Sequence, residues 1–267
     1  MLKAEKLKNY EQKKFKPGYA SIKYNGIHGI CDPKEKIIYS RTPKLLNGLG
    51  HIIKALEHLA YPMVGEIVIP DLDFEEASGK IRNYSECPEA EFRIFNCIVP
   101  NVRFRGRLEY MREIHKNYFM CHPHVKFVDY QPVSFVEEFD AIFNKAVEFN
   151  EEGTCWISPD HIYQPDTCGW NWMKRVPFRS VEATVVNIEA GTRGKKYEES
   201  LGAFICELDN GIAFKCGIFK GRTDEWRQKV YDNSETWLGV RITVEFKAYS
   251  KYGKPLQPRF KGVRWDL

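Results

Sequence analysis

Apolar and polar residues alternate in short runs at the start of the chain. Residues 18–32, GYASIKYNGIHGICD, and 36–42, KIIYSRT, show the period-two pattern of strands broken by Gly and Asp turns. Residues 44–60, KLLNGLGHIIKALEHLA, switch to helical spacing and predict a helix. PMVGEIVIP (62–70) and EFRIFNCIVP (91–100) are short, nearly continuous apolar strands. RGRLEYMREIHKNY (105–118) and SFVEEFDAIFNKAVEFN (134–150) read as amphipathic helices, EGTCWIS (152–158) and NWMKRV (171–176) as strands. This mixture predicts an α+β domain over residues 1–178.

Beyond Pro177 the pattern is nearly all strand: VEATVVNIEAG, SLGAFICELDNGIAFKCGI, RITVEFKAYS and a final RFKGVRWDL, with DNG as a hairpin turn. One helix fits at TDEWRQKVYDN. Five strands and a helix predict a small all-β Greek-key barrel of the OB-fold kind over residues 179–267.

Charge changes the picture by its distribution. A formal net charge of +4 is too mild to identify a partner, but residues 1–16 carry six Lys against two Glu. Residues 241–267 carry seven Lys or Arg against one Glu and one Asp. Residues 1–16 therefore read as a basic, partly ordered arm. The eight cysteines form no CxxC pair, which argues against a zinc ribbon. They read as reduced thiols of a cytoplasmic protein, or of a host cytoplasm for a viral one. No apolar run is long enough to span a membrane, so no membrane partner is expected.

The chemistry-bearing residues are misplaced charges. Glu66 interrupts VGEIVIP, and Glu152 opens EGTCWIS. A carboxylate in an apolar strand is costly unless it is paired or binds a metal, although either one alone also fits an outward-facing edge position. Lys23 in SIKYNG and Lys174 in NWMKRV pose the same question. Their order along the chain (Lys, Arg, Glu, aromatic, Glu, Lys) suits one reaction, attack of a lysine amine on the α-phosphorus of a nucleoside triphosphate. Freeing that amine at neutral pH costs ~4–5 kcal/mol. Nearby cations or a divalent metal on hard oxygen ligands lower that cost.

At these positions the chain resembles the ATP-dependent ligases and mRNA capping enzymes. SIKYNGIHG is similar to their KxDGxR motif, SRTPK to motif Ia, VGE to motif III, FRIFN to motif IIIa, EGTCW to motif IV and NWMK to motif V. RFKGVR resembles the terminal ligase motif. The resemblance implies an α+β nucleotidyltransferase (adenylation) domain followed by an all-β OB-fold barrel, and an ATP-dependent DNA ligase. Such an enzyme seals 5′-phosphate/3′-hydroxyl nicks in duplex DNA through lysyl-AMP.

Residue by residue, the resemblance implies that Lys23 carries AMP, that Ser21 and Ile22 border the adenine, and that Phe95 stacks on it. It places Arg41 on nucleotide and the nick 5′-phosphate, and His28 at the nucleotide. Glu66 would meet ribose or a metal, Glu152 the metal (Mg2+, with Mn2+ as a second choice), and Lys174 the α-phosphate. Arg259, Lys261 and Arg264 would orient the pyrophosphate leaving group or touch DNA, and Arg193, Lys195 and Lys196 of the loop GTRGKKYEES would touch DNA. Departures are Asn25 for Asp, His28 for Arg, Val64 and Asn96 for Asp, and Val176 for the second lysine of motif V. Strand alternation turns Arg175 to the other face. The expected partner is nicked duplex DNA, bound by a monomer with modest, salt-dependent affinity. An RNA ligase or capping-type nucleotidyltransferase, or a non-catalytic OB-fold nucleic-acid binder, stays open as the alternative.

Overall fold

A computed structural model describes residues 3–42, 44–72, 74–83, 86–149, 151–250 and 252–264. The chain forms two units, Met1–Val176 and Pro177–Leu267. Strands of the first are β1 (Lys8–Asn9), β2 (Gly18–Lys23), β3 (Ile27–Asp32), β4 (Ile37–Ser40), β5 (Met63–Val68), β6 (Glu91–Cys97), β7 (Val125–Phe127), β8 (Gln131–Val133), β9 (Gly153–Ile157) and β10 (Trp172–Arg175). Its α-helices are α1 (Gly50–Leu56), α2 (Phe74–Arg82), α3 (Phe104–Ile114) and α4 (Val136–Glu148). They build two five-stranded sheets, ordered β1-β10-β9-β2-β8 and β4-β3-β5-β6-β7.

Alternation along the strands decides what each sheet face does. In the first sheet Ala20, Trp156 and Met173 point to α4 and pack with Phe139 of that helix and Val133. The neighbours Ser21, Cys155 and Lys174 therefore share the opposite face, in one row set by the pairings Ser21↔Cys155 and Lys174↔Cys155. The larger core joins the second sheet to α1 and α3 through residues such as Ile30, Ile52, Phe92, Phe104 and Leu108.

Three expectations need correction. The helix predicted over 44–60 is confined to α1, Gly50–Leu56. Residues ahead of it extend β4 instead: Leu45 bridges Tyr39, and the Leu46 N–H donates to Ile38 O at 2.8 Å. Gly48 then turns the chain at φ +79°. The helix α2, FEEASGKIR, goes beyond the sequence prediction, which its sparse apolar positions had hidden.

The basic arm is the third case, for most of it is part of the fold. Its first two residues lie outside the described residues. The segment that follows pairs in parallel with β10, Lys8 opposite Met173 and Asn9 opposite Lys174. Upstream, Glu5 enters a buried polar network. Arg107, which is fully buried, donates through Nε to Asn96 Oδ1 (3.0 Å) and through Nη1 to the carbonyls of Val102 (2.5 Å) and His161 (3.0 Å). Its Nη2 lies 3.1 Å from His161 Nδ1. A guanidinium only donates, so Nδ1 accepts and the His161 Nε2–H donates to Glu5 Oε1 at 2.9 Å.

In the second unit β11 (Arg179–Ala190), β12 (Leu201–Glu207), β13 (Ala213–Cys216), β14 (Arg241–Phe246) and β15 (Arg259–Val263) form a sheet ordered β13-β12-β11-β14-β15. The long β11 bends through two register shifts and pairs on both sides. Ile218 bridges Arg259, and the Phe260 N–H donates to Ile218 O at 2.9 Å, which brings the two edges together. The helix α5 (Asp224–Asp232) starts where Thr223 Oγ1 caps the Trp226 N–H. Its Trp226 stacks on Phe260 in an aromatic core with Phe204, Phe219 and Trp237. Five strands and one helix are what the sequence pattern predicts here, although residues 265–267 of the expected last strand lie outside the described residues. Among the described residues no helix is long and apolar enough to cross a membrane.

Candidate active site

The site grows from the inner face of the first sheet. Lys23 ends β2 opposite Gly153, the first residue of β9. Gly153 sits at φ +143°, and a Cβ there would lie 2.2 Å from Arg175 O. Only glycine fits, and the turn it makes delivers Glu152 to Lys23. The Lys23 ammonium donates to Glu152 Oε2, and both side chains are about four-fifths shielded, at 17% and 24% exposure. Lys174 lies one row back, next to Cys155.

The second sheet supplies the facing groups. Pairings His28↔Glu66, Glu66↔Arg93 and Arg93↔Lys126 set four polar side chains in one row across β3, β5, β6 and β7. Phe95 is the extra residue of a bulge, because Val64 pairs with Asn96 while Gly65 pairs with Ile94. A bulge re-aims a side chain. Here it puts the Phe95 ring 5.9 Å from that of His28 and 5.8 Å, edge-on, from that of Trp172. Trp172, like Cys155, escaped the sequence reading; its position two residues before Lys174 on β10 is the signal that places it on the same face.

Electrostatics show which of these groups meet. Burial pulls the Lys23 amine down, but the Glu152 charge and hydrogen bond, with smaller help from the Cys155 and Glu66 side chains, outweigh it, so its pKa is raised. The Lys174 ammonium is lowered by burial and by the nearby Lys23 and Arg41 charges. Burial and the charges of Arg41 and Lys23 hold His28 neutral, at about 3, and its Nδ1 is buried without a partner. Burial pushes the Glu66 carboxyl up to about 8, against the pull of Lys23 and Arg41. Its Oε2 is also buried and unpartnered. Lys23, His28, Arg41, Glu66, Glu152 and Lys174 thus form one electrostatic cluster, in which Arg41 is the exposed member. Ser21 lies opposite Cys155 and Ile22 opposite Thr154, while the Tyr130 hydroxyl donates to Phe95 O at 2.8 Å.

The raised Glu66 carboxyl gives a signed prediction. Its ordinary value is 4.5 and its folded value about 8, so the folded chain holds a proton that the unfolded chain has released between those two values. The stability it contributes is complete below 4.5 and is lost as pH rises through about 8. Glu66→Gln should therefore melt at a higher temperature than the parent at about pH 9 and at the same temperature near pH 4. Equal midpoints at both ends of a calorimetric pH series would contradict this.

Other sequence candidates lie elsewhere. Arg175 pairs with Asp140 and stacks 4.0 Å from the Phe143 ring, on the α4 side of the sheet, so it does not stand in for the motif V position at Val176. Asn96 serves the Arg107 network. In the second unit Lys196 pairs with Asp224 (2.6 Å), Lys261 with Glu245 (2.9 Å) and Arg264 with Glu182. Arg193 is 97% exposed and Lys195 exposed, while the Arg259 guanidinium lies 4.5 Å from the Phe178 ring.

The family model of the ATP dependent DNA ligase domain matches residues 1–175, and that of the DNA ligase OB-like domain residues 193–264. No curated protein matches in sequence. Among solved structures, a Lig E DNA ligase, studied for DNA binding with a minimal scaffold, is similar at 19% identity with a TM-score of 0.83, covering 99% of this chain and 100% of that one. The Chlorella virus DNA ligase–adenylate is 20% identical with a TM-score of 0.58, covering 100% and 99%. The bacteriophage T7 ATP-dependent DNA ligase in complex with ATP is 16% identical with a TM-score of 0.52, covering 97% and 98%. At these identities the structures speak for the fold.

Proposed function

The chain belongs to the ATP-dependent DNA ligase family, and on that premise we propose that Lys23 is the residue that takes AMP from ATP before the protein seals nicks in duplex DNA. The observation that carries this is the meeting of Lys23, Glu152 and Lys174 of the first sheet with Glu66 of the second. The neutral Lys23 amine attacks the α-phosphorus. An N–P bond forms, the α–β P–O bond breaks, and pyrophosphate leaves. The amine's proton passes to Glu152, its hydrogen-bond partner. Lys174, partly buried, holds the α-phosphate as charge builds. Phe95, presented by its bulge, stacks on adenine between His28 and Trp172. AMP then moves to the nick's 5′-phosphate, where Arg41 would guide it, and the 3′-hydroxyl displaces AMP as the phosphodiester closes.

Glu66 and Glu152 are the residues that would hold a divalent ion, Mg2+ or Mn2+. The buried, unpartnered Glu66 Oε2 fits that use, since a cation there would replace the proton that burial favours. Two carboxylates with the remaining sites left to phosphates and water suit Mg2+. Such an ion would neutralise charge on the phosphates. In this reading residues 1–178 bind nucleotide, residues 179–267 form the OB domain, and the protein works as a monomer.

Incubation with ATP or GTP labelled at the α-phosphate tests the reading. Label on the protein from ATP, stable to alkali and released by acid as a phosphoramidate is, and discharged by nicked duplex with sealing, is expected. Label from GTP alone would overturn it in favour of a capping-type enzyme.

A further inference from the structure

A second polar recess lies beside the nucleotide site in the first unit. It encloses about 370 Å³ and is lined by Tyr24, Glu91, Arg93, Lys126, Phe127, Val128 and Glu151. Its walls adjoin the proposed chemistry on three sides. Tyr24 follows the nucleophile, Glu151 precedes Glu152, and Arg93 and Lys126 continue the row that begins at His28 and Glu66. A strand-to-strand step in a sheet is about 4.8 Å, so the Arg93 position lies one step, and Lys126 two, beyond Glu66.

The two cations of the recess are held in place but only loosely engaged. The Arg93 guanidinium stacks 4.4 Å from the Tyr24 ring centre, which fixes its plane. Its hydrogen bonds to Glu91 Oε2 are long, at 3.4 Å from both Nε and Nη2. Lys126 Nζ donates to the backbone carbonyl of His122 at 3.0 Å. Of the two carboxylates, Glu91 is the one that Arg93 already faces, and burial raises the Glu151 carboxyl above its usual range while Arg93 draws it down. A tight internal ion pair would leave no donor for a ligand; this arrangement leaves a planar, oriented one.

Nothing in the AMP transfer uses Arg93 or Lys126. We propose that they form a DNA-backbone subsite, in which a phosphodiester of the strand flanking the nick bridges Arg93 and Lys126 and sets the nick over lysyl-AMP. Arginine suits this role, because its fork grips two phosphate oxygens where an ammonium offers one point charge. The proposal rests on the ligase reading above, and its test separates the two.

The experiment compares the parent with Arg93→Ala/Lys126→Ala and with the charge-keeping Arg93→Lys. ATP-dependent labelling of the protein is measured first, followed by binding of nicked duplex over a salt series. Each phosphate contact adds about 0.9 to the slope of log affinity against log salt. The double variant should label within about twofold of the parent. Its nicked-duplex affinity should fall at least about tenfold at low salt, with a slope shallower by about 0.9, the share of the one phosphate lost. Arg93→Lys should keep the slope and lose part of the affinity. Unchanged affinity and slope in the double variant would overturn the subsite. Loss of labelling in parallel with DNA binding, in both variants, would also overturn it, since Arg93 would then support the nucleotide pocket instead. Failure of the parent itself to label would strike the lysyl-AMP reading and not the subsite.

Discussion

Glu152→Gln should slow transfer of AMP to the protein by about 100- to 10,000-fold, the range expected when a positioned proton acceptor is lost. The side chain keeps its shape, so the fold and the Gly153 turn should stand. What disappears is the carboxylate that Lys23 touches and that helps hold its pKa above the usual lysine value. Burial, the largest influence on that amine, acts downward and would be opposed by less. The variant thus has an amine that loses its proton more readily and no base beside it to take that proton. Two readouts follow. Labelling at saturating ATP should fall by the stated factor, and the pH at which the rate stops rising should move down relative to the parent. A variant that labels within threefold of the parent with an unmoved profile would show that Glu152 neither takes the proton nor sets the amine.

The second large effect concerns stability. Arg107→Ala should destabilise the first unit by about 3–5 kcal/mol, as removal of one member of a buried charged network does. The guanidinium is fully buried and has four partners. Without it the carbonyls of Val102 and His161 lose a donor, and His161 Nδ1 loses the partner that orients its ring toward the Glu5 carboxylate. That carboxylate anchors the residues ahead of β1, so the N-terminal segment should become protease-sensitive before the rest. Denaturant unfolding with an unchanged midpoint, and an N-terminus as resistant as before, would refute this account of the network.

Much of this was legible in the sequence because strands advertise their faces. Once SIKYNG and NWMK are strands, period two sets Ser21, Lys23, Trp172 and Lys174 on one side and Ala20, Met173 and Arg175 on the other. The β-rich second unit was legible for the same reason, with the DNG turn at its hairpin. Less of the rest could be read, since it depends on partners distant in sequence. Arg107 sits in an amphipathic helix where an arginine is ordinarily solvated, and its partner His161, with Glu5 bonded to that histidine in turn, is far along the chain. The bulge that aims Phe95 depends on register with Val64 and Gly65, which single-strand alternation cannot supply. The segment 44–60 has true helical spacing, but pairing of Leu45 and Leu46 with β4 competes successfully with it.

The central claim is that Lys23 is the covalent carrier of AMP. Its most direct test is peptide mapping by mass spectrometry after incubation with ATP and Mg2+, run on the parent and on Lys23→Ala. The account predicts one adenylylated peptide in the parent, with the adduct on Lys23, and none in the variant, which should also fail to seal a nicked duplex. An adduct on Lys174 or any other residue, or a Lys23→Ala protein that still takes up AMP, would contradict it.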